Sequence, residues 1–367
     1  MNITILYGGK STEHEVSLTS ASSVVRNISD EHTINLIGIS KENKFYLQSD
    51  DELARIKKDK NAVLKINTEI EVFLSSGGGK ENAFFTKDKK IKTDVVFPVM
   101  HGSFGEDGIL QGLLEMLELP YVGSGVLGSA VAMDKEKAKI VWRANGLPIV
   151  PFVTLLKEAW QNEVKRQQYI NQAERDLEYP IFVKPSNAGS SVGASMARDR
   201  KELIANVDKA FLWDEKVLLE MFIHAREIEC SVTGNDNLTA YIPGEVVSSS
   251  AHEFYDYDAK YNDPDGAKLE IPADLTTEQR KTIRELAIKA YAALDLKGFS
   301  RVDFFIEKRN GNIYINEANT IPGFTSISMF PKMCVASGLP YDKLIMHLLE
   351  LAVERFNDKA ELARSKI

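Results

Sequence analysis

Arg301-Val302-Asp303 lies in one apolar run, and Asn316-Glu317-Ala318-Asn319 closes the next. Phe304, Phe305, Ile306, Ile313 and Ile315 mark both runs as well-buried strands. On adjacent antiparallel strands, side chains at alternate positions share a face, so Asp303, Glu317 and Asn319 can converge as three hard oxygen donors. That set suits magnesium, which takes a few carboxylates and completes its shell with water and substrate phosphates. Burying two carboxylates without a cation is costly, although taken alone the pair also fits an ordinary charged hairpin face. A second group is Lys184-Pro185-Ser186 followed by Gly189-Ser190-Ser191-Val192-Gly193. Small residues let backbone approach an anion, hydroxyls and N–H groups donate to it, and Lys184 brings a charge able to neutralise phosphate. A plain turn is the alternative. Neither G-x-x-x-x-G-K-[ST] nor G-x-G-x-x-G occurs where a phosphate loop needs it, which disfavours P-loop chemistry.

The elements that must position these residues follow from the pattern. The chain opens as strand (2–7), glycine turn (Gly8-Gly9-Lys10) and helix (15–27), with Val16, Ala21, Val24, Val25 and Ile28 as its apolar stripe. A second strand over 32–40 completes a βαβ start, which predicts a parallel sheet with ligands at the carboxyl ends of its strands. Residues 43–93 read as irregular or hairpin decoration. The apolar strand 94–100 runs into His101-Gly102-Ser103-Phe104-Gly105-Glu106-Asp107-Gly108 and then a helix near Ile109, which leaves N–H groups where an anion could sit. One charged surface helix is expected over 157–178, and strands over 180–185, 217–220 and from 228. The polar, Tyr-rich segment 248–268 has the length of a functional lid. A helix (277–294), two strands (298–306 and 312–316) and a terminal helix follow. Boundaries near 134 and 225 give three domains, 1–134, 135–225 and 226–367.

Length and composition agree with several domains: 367 residues, 44% hydrophobic and 27% charged, enough apolar side chain for real cores. The net charge of −8 has the wrong sign for a protein that binds nucleic acid through phosphates. Cys230 and Cys334 form no C-x-x-C, so neither a disulfide framework nor a zinc knuckle is indicated. No leader pattern and no run of 18 apolar residues is found, so no membrane role is expected and the cytoplasm is the expected compartment.

The motifs have a collective likeness. Met133-Asp134-Lys135, the 184–193 loop, Glu220, Glu227, Arg301-Val302-Asp303 and Glu317-Ala318-Asn319-Thr320 together resemble the nucleotide site of the ATP-grasp superfamily. His14-Glu15-Val16-Ser17, the 101–108 motif, Phe254-Tyr255-Asp256-Tyr257-Asp258-Ala259-Lys260-Tyr261 and Asn319-Thr320-Ile321-Pro322-Gly323-Phe324-Thr325 resemble the D-alanine–D-alanine ligases, over about residues 1 to 350. The resemblance implies an α/β fold, α+β in its ATP-binding part: a three-domain ATP-grasp enzyme whose N-terminal domain is Rossmann-like. It implies ATP as cosubstrate, with Lys135, Lys184, Ser190, Ser191 and Lys260 on the nucleotide, Glu220 and the 220–223 backbone at adenine, Phe222 and Ile223 packing on it, and Glu227 on the ribose. Asp303, Glu317 and Asn319 would hold two magnesium (or manganese) ions. Glu15 would bind the ammonium of the first D-alanine and His101 lie near its carboxylate. Arg301 and the Gly323 N–H would stabilise the reacting centre, and Ser328 with Met329 would grip the second D-alanine. Glu15, Ser190 and Tyr261 would link three domains when the lid closes. A homodimer making a dipeptide for peptidoglycan is implied; D-lactate or D-serine as the acceptor is the alternative.

Overall fold

The computed structural model describes residues 1–189, 192–248, 267–325 and 327–362. Ser190, Ser191, Lys260 and Tyr261, all expected site residues, lie outside this set.

The first sheet is built on Asn2–Gly8, flanked in parallel by Thr33–Ile39 and Val95–Val99, with Phe45–Leu47 antiparallel at the edge. A side chain at Gly8, where φ is 92°, would collide with the Ile39 carbonyl and Ile66, so only glycine lets the first strand turn this tightly. The turn leads into the helix His14–Asn27, which buries Leu18, Ala21, Val24 and Val25 on the sheet. Ser17 Oγ accepts from the Gly8 N–H at 2.7 Å and donates to the Val99 carbonyl, pinning the carboxyl ends of two parallel strands together. The expected βαβ start is therefore present, and its ligand edge is fixed by a buried serine.

Residues 43–93 hold more order than expected. A helix, Asp50–Lys58, is capped by Ser49, whose hydroxyl accepts from the Glu52 N–H. It buries only Ile56, too little to write an apolar stripe into the sequence. Phe73–Leu74, Phe84–Phe85 and Lys90–Ile91 form a small sheet of strands too short for alternation to register.

Two antiparallel sheets follow. The order Ser195–Ala197, Ile181–Pro185, Lys216–Met221, Phe152–Leu156 makes one, backed by the helices Glu163–Leu177 and Arg200–Ala210. The single helix expected over 157–178 is broken: Lys157–Trp160 buries Trp160, and Asn162 caps the start of Glu163–Leu177. In the other sheet, Ala225–Gly234 pairs along its whole length with Gly298–Glu307, which pairs in turn with Ile313–Asn319. The helix Lys135–Ala144 follows the expected boundary at 134, yet its apolar face enters the core of this last sheet. Trp142 is fully buried there and donates to the Ala290 carbonyl at 3.0 Å. The helices Met329–Ala336 and Tyr341–Ala360 return to the first sheet. Phe324 stacks edge-on to Phe97 at 5.8 Å and to Phe299 at 5.5 Å, joining the first and last sheets through one aromatic cluster. Burial of such a ring contributes about 1.5–3 kcal/mol, so this cluster helps to hold the two sheets together.

Candidate active site

The cleft is lined from both antiparallel sheets. In the strand pair 298–307 and 313–319, Asp303 lies opposite Glu317 and Arg301 opposite Asn319, and the bulge falls just after Asp303. The four side chains thus share one face. Asn319 Nδ2 donates to Asp303 Oδ2 at 2.9 Å, and the Arg301 guanidinium grips Asp303 with two bonds of 2.7 Å. Arg301 Nε also lies 3.1 Å from Glu229 Oε2. Burial alone would lower the Arg301 pKa, but Asp303 and Glu229 outweigh it and hold the guanidinium well above its ordinary value.

The lysines arrive from the other side. Lys135 Nζ donates to the Ala188 carbonyl at 2.9 Å and lies 3.6 Å from Glu317 Oε2. Lys184 Nζ lies 2.9 Å from Glu220 Oε2 and donates to Asn316 Oδ1 at 3.3 Å, bridging the two sheets. Burial raises the Glu220 carboxyl, but Lys139 and Lys184 together hold it below the usual carboxylate range. Asp303, Glu317, Asn319, Lys135 and Lys184, widely spaced in the chain, therefore meet in one place.

Beyond the amino end of the strand carrying Lys184 is a cleft of about 500 Å³ lined by Tyr179, Pro180, Met196, Arg198, Phe222 and His224. Phe222 lines this cleft, Ile223 is half-buried next to it in sequence, and Glu227 is half-buried on the following strand. Tyr179 and Met196 were not legible as site residues, because only the pairing of strands brings them to Phe222.

At the ligand edge of the first sheet, the structure separates two carboxylates that the sequence presents side by side. Glu15 stands outside the cleft, exposed and paired with Lys41 at 3.6 Å. Glu13 points inward instead: a Cβ on Gly102 would lie 2.7 Å from its Oε2, and one on Gly189 3.1 Å. The expected position of Glu15 is corrected accordingly. Glu13 precedes the first helical residue, and two positions further on the chain has rotated away.

His101 is buried, with Nδ1 donating to the Ile321 carbonyl at 2.8 Å and Nε2 at 3.0 Å from Ser20 Oγ. It ties the first domain to the loop before Gly323, a contact the motif alone did not predict. Glu106 supports the same junction, accepting from the N–H groups of Gly102 and Ile321, each at 2.9 Å. Burial raises the Glu106 carboxyl, opposed by His101 and these N–H groups. The chain at Gly323 passes so close to Ser328 that a Cβ would fall 2.7 Å from its hydroxyl. Ser328 Oγ accepts from the Thr325 N–H at 3.0 Å at the start of the 329–336 helix.

Residues 2–124 match the family model described as D-ala D-ala ligase N-terminus, and residues 141–350 match the one described as D-ala D-ala ligase C-terminus. The chain belongs to the D-alanine–D-alanine ligase family. It is 57% identical over 364 residues to the D-alanine–D-alanine ligase of Treponema denticola, covering 99% of this chain and 98% of that one. The ligase of Treponema pallidum strain Nichols is 48% identical over 364 residues, with 99% and 91% covered. Among solved structures, the D-alanine–D-alanine ligase from Coxiella burnetii superposes with a TM-score of 0.83 at 34% identity, covering 98% and 96%. VanG D-Ala:D-Ser ligase from Enterococcus faecalis superposes at 0.82 with 36% identity, covering 96% and 99%. As a D-alanine–D-alanine ligase family member the chain is an ADP-forming ligase with the α/β ATP-grasp architecture. Among the described residues, no helix is long and apolar enough to cross a membrane.

Proposed function

We propose that the chain condenses two D-alanines at the expense of ATP, supplying a dipeptide for peptidoglycan. The observation that carries the reading is the convergence of Asp303, Glu317 and Asn319 with Lys135 and Lys184 in one cleft. ATP would lie along the strand Ile181–Pro185, adenine in the pocket at Phe222 and phosphates at Lys184. The four residue steps from Pro180 to Lys184 span about 13 Å of extended chain, leaving room between base and phosphates for a ribose at Glu227.

The donor set fits a hard divalent cation: two carboxylates face each other across paired strands, the Asn319 side-chain amide bonds to one of them, and cationic side chains balance their charge. Two magnesium (or manganese) ions held by Asp303, Glu317 and Asn319 would supply charge neutralisation to the transferring phosphoryl group. The carboxylate of the first D-alanine attacks the γ-phosphorus, the bond to the β,γ-bridging oxygen breaks, and ADP leaves. The amine of the second D-alanine, having lost a proton, then attacks the acyl carbon of the resulting D-alanyl phosphate and expels phosphate. Arg301 orients the phosphoryl oxygens, and the Gly323 N–H donates to the oxyanion. Ser328 and the Met329 N–H, at a helix start, take the second substrate's carboxylate. Glu13 takes the role first expected of Glu15, holding the ammonium of the first D-alanine near His101. Ser190, Tyr261, Ser191 and Lys260 keep the roles that the resemblance implies. A cytoplasmic homodimer completes the proposal, on the same resemblance.

Glu13→Gln is expected to lower kcat/KM for D-alanine about 10- to 100-fold, the worth of a charge-assisted hydrogen bond, while Glu15→Gln stays within about twofold, as an exposed pair allows. Kinetics against D-alanine concentration decide between them, and the reverse order would return the role to Glu15. The likeness to a D-Ala:D-Ser ligase favours one second reading, D-serine as acceptor. A coupled ADP-release assay with D-alanine, L-alanine, D-serine and D-lactate tests both. Release with D-alanine alone supports the proposal; faster release when D-serine or D-lactate joins D-alanine at neutral pH overturns the assignment of the acceptor.

A further inference from the structure

Lys139 lies one helical turn beyond Lys135 and is fully buried, with Nζ 3.0 Å from Glu220 Oε1. Glu220, also buried, has its other oxygen 2.9 Å from Lys184 Nζ. One carboxylate is thus held between two ammonium groups. Had Glu220 only Lys184 as a partner, the pair would be neutral, and the lysine facing the phosphates would have its charge cancelled. With Lys139 on the far oxygen, the triad keeps a net positive charge, which emerges at Lys184, beside Asn316 and the Asp303–Glu317 cluster. A positive charge kept at Lys184 draws an anion to this end of the triad.

We propose that Lys139 is a positioning residue for nucleotide phosphates: by balancing Glu220 from behind, it leaves the charge of Lys184 available to the anion. Burial pulls Lys139 down to about 8, against the attraction of Glu220 and Glu317 and with the repulsion of Lys184, so near neutral pH it is charged in its resting place. An arriving phosphate favours that form further. The inference rests on the reading that this cleft holds ATP and adds a residue that touches neither substrate.

The test is nucleotide binding by titration calorimetry with wild type, Lys139→Met and Lys139→Met/Glu220→Gln. Methionine keeps the unbranched side chain to within one atom of its length and removes its charge. Lys139→Met is expected to bind ADP about tenfold or more weakly and to bind adenosine as wild type does, because adenosine carries no phosphate. The double variant removes one charge of each sign and restores the net charge at Lys184, so its ratio of ADP to adenosine affinity is expected to return to within about threefold of the wild-type ratio, whatever Glu220→Gln does at the adenine. Unchanged ADP affinity in Lys139→Met, or equal losses for ADP and adenosine, overturns the proposal. Should Lys139→Met not fold, the double variant decides alone: a ratio of ADP to adenosine affinity well below wild type in the folded double variant refutes the charge balance. Wild type that binds no ADP would instead refute the ATP reading, so the two failures are distinguishable.

Discussion

Glu317→Gln is expected to give a folded protein whose kcat falls about a thousandfold. Glu317 faces Asp303 across the strand pair and lies 3.6 Å from Lys135, so it stands where carboxylates and lysines meet. The amide has nearly the same shape, and the strand keeps Ala318 buried beneath it. Structurally the loss is modest: at 3.6 Å the Lys135 pair is longer than a hydrogen bond, and Lys135 keeps its bond to the Ala188 carbonyl. Chemically the change is large, because one negative charge is removed from a site whose task is to gather cations around phosphate oxygens, where positioned charge carries most of the rate enhancement. Turnover at saturating ATP and D-alanine, with a denaturation curve beside it, separates the two effects. A rate near wild type removes Glu317 from the reaction. A small loss that excess magnesium repairs would make it a supporting carboxylate.

The same strand pair explains why so much of the site was legible in the sequence. Alternation is a strict rule in strands, so Asp303, Glu317 and Asn319 could be assigned to one face before any pairing was known. The rule survives because the bulge comes after Asp303, where it shifts Phe304 onward without disturbing the register of 301–303 against 317–319. Helix starts offer no such rule. In Thr12-Glu13-His14-Glu15 both carboxylates are plausible ligands, and which one enters the cleft depends on where the first turn begins, a matter of one residue. Lys139 was invisible for another reason. On a helix rich in lysine it looks like one more solvated charge, and only the arrival of Glu220 from a distant strand makes its burial tolerable. The helix at 50–58 and the small sheet beyond it escaped because they bury too little to leave a periodic trace.

Arg301→Met should lose both stability and activity, and Arg301→Lys should divide the two losses. In the native chain the guanidinium is largely buried and satisfies Asp303 with two parallel bonds while contacting Glu229. Methionine leaves two neighbouring carboxylates in a protected place without their common cation, and breaking a buried pair from one side costs about 3–5 kcal/mol. Lysine restores the charge but not the fork, so it recovers part of the stability while failing to hold Asp303 and a phosphoryl oxygen in fixed relation. Denaturant midpoints and kcat for the three proteins give the division. If Arg301→Lys keeps wild-type turnover, the guanidinium serves only as a counter-ion. A further consequence tests the identity of the site. Divalent cations bind the folded state through carboxylates that the unfolded chain does not bring together, so magnesium should stabilise by mass action. Without Arg301 those carboxylates lack their competing cation, and magnesium should therefore raise the midpoint of Arg301→Met more than that of wild type. An equal shift in both would mean that Asp303 and its neighbours are not where the ion goes.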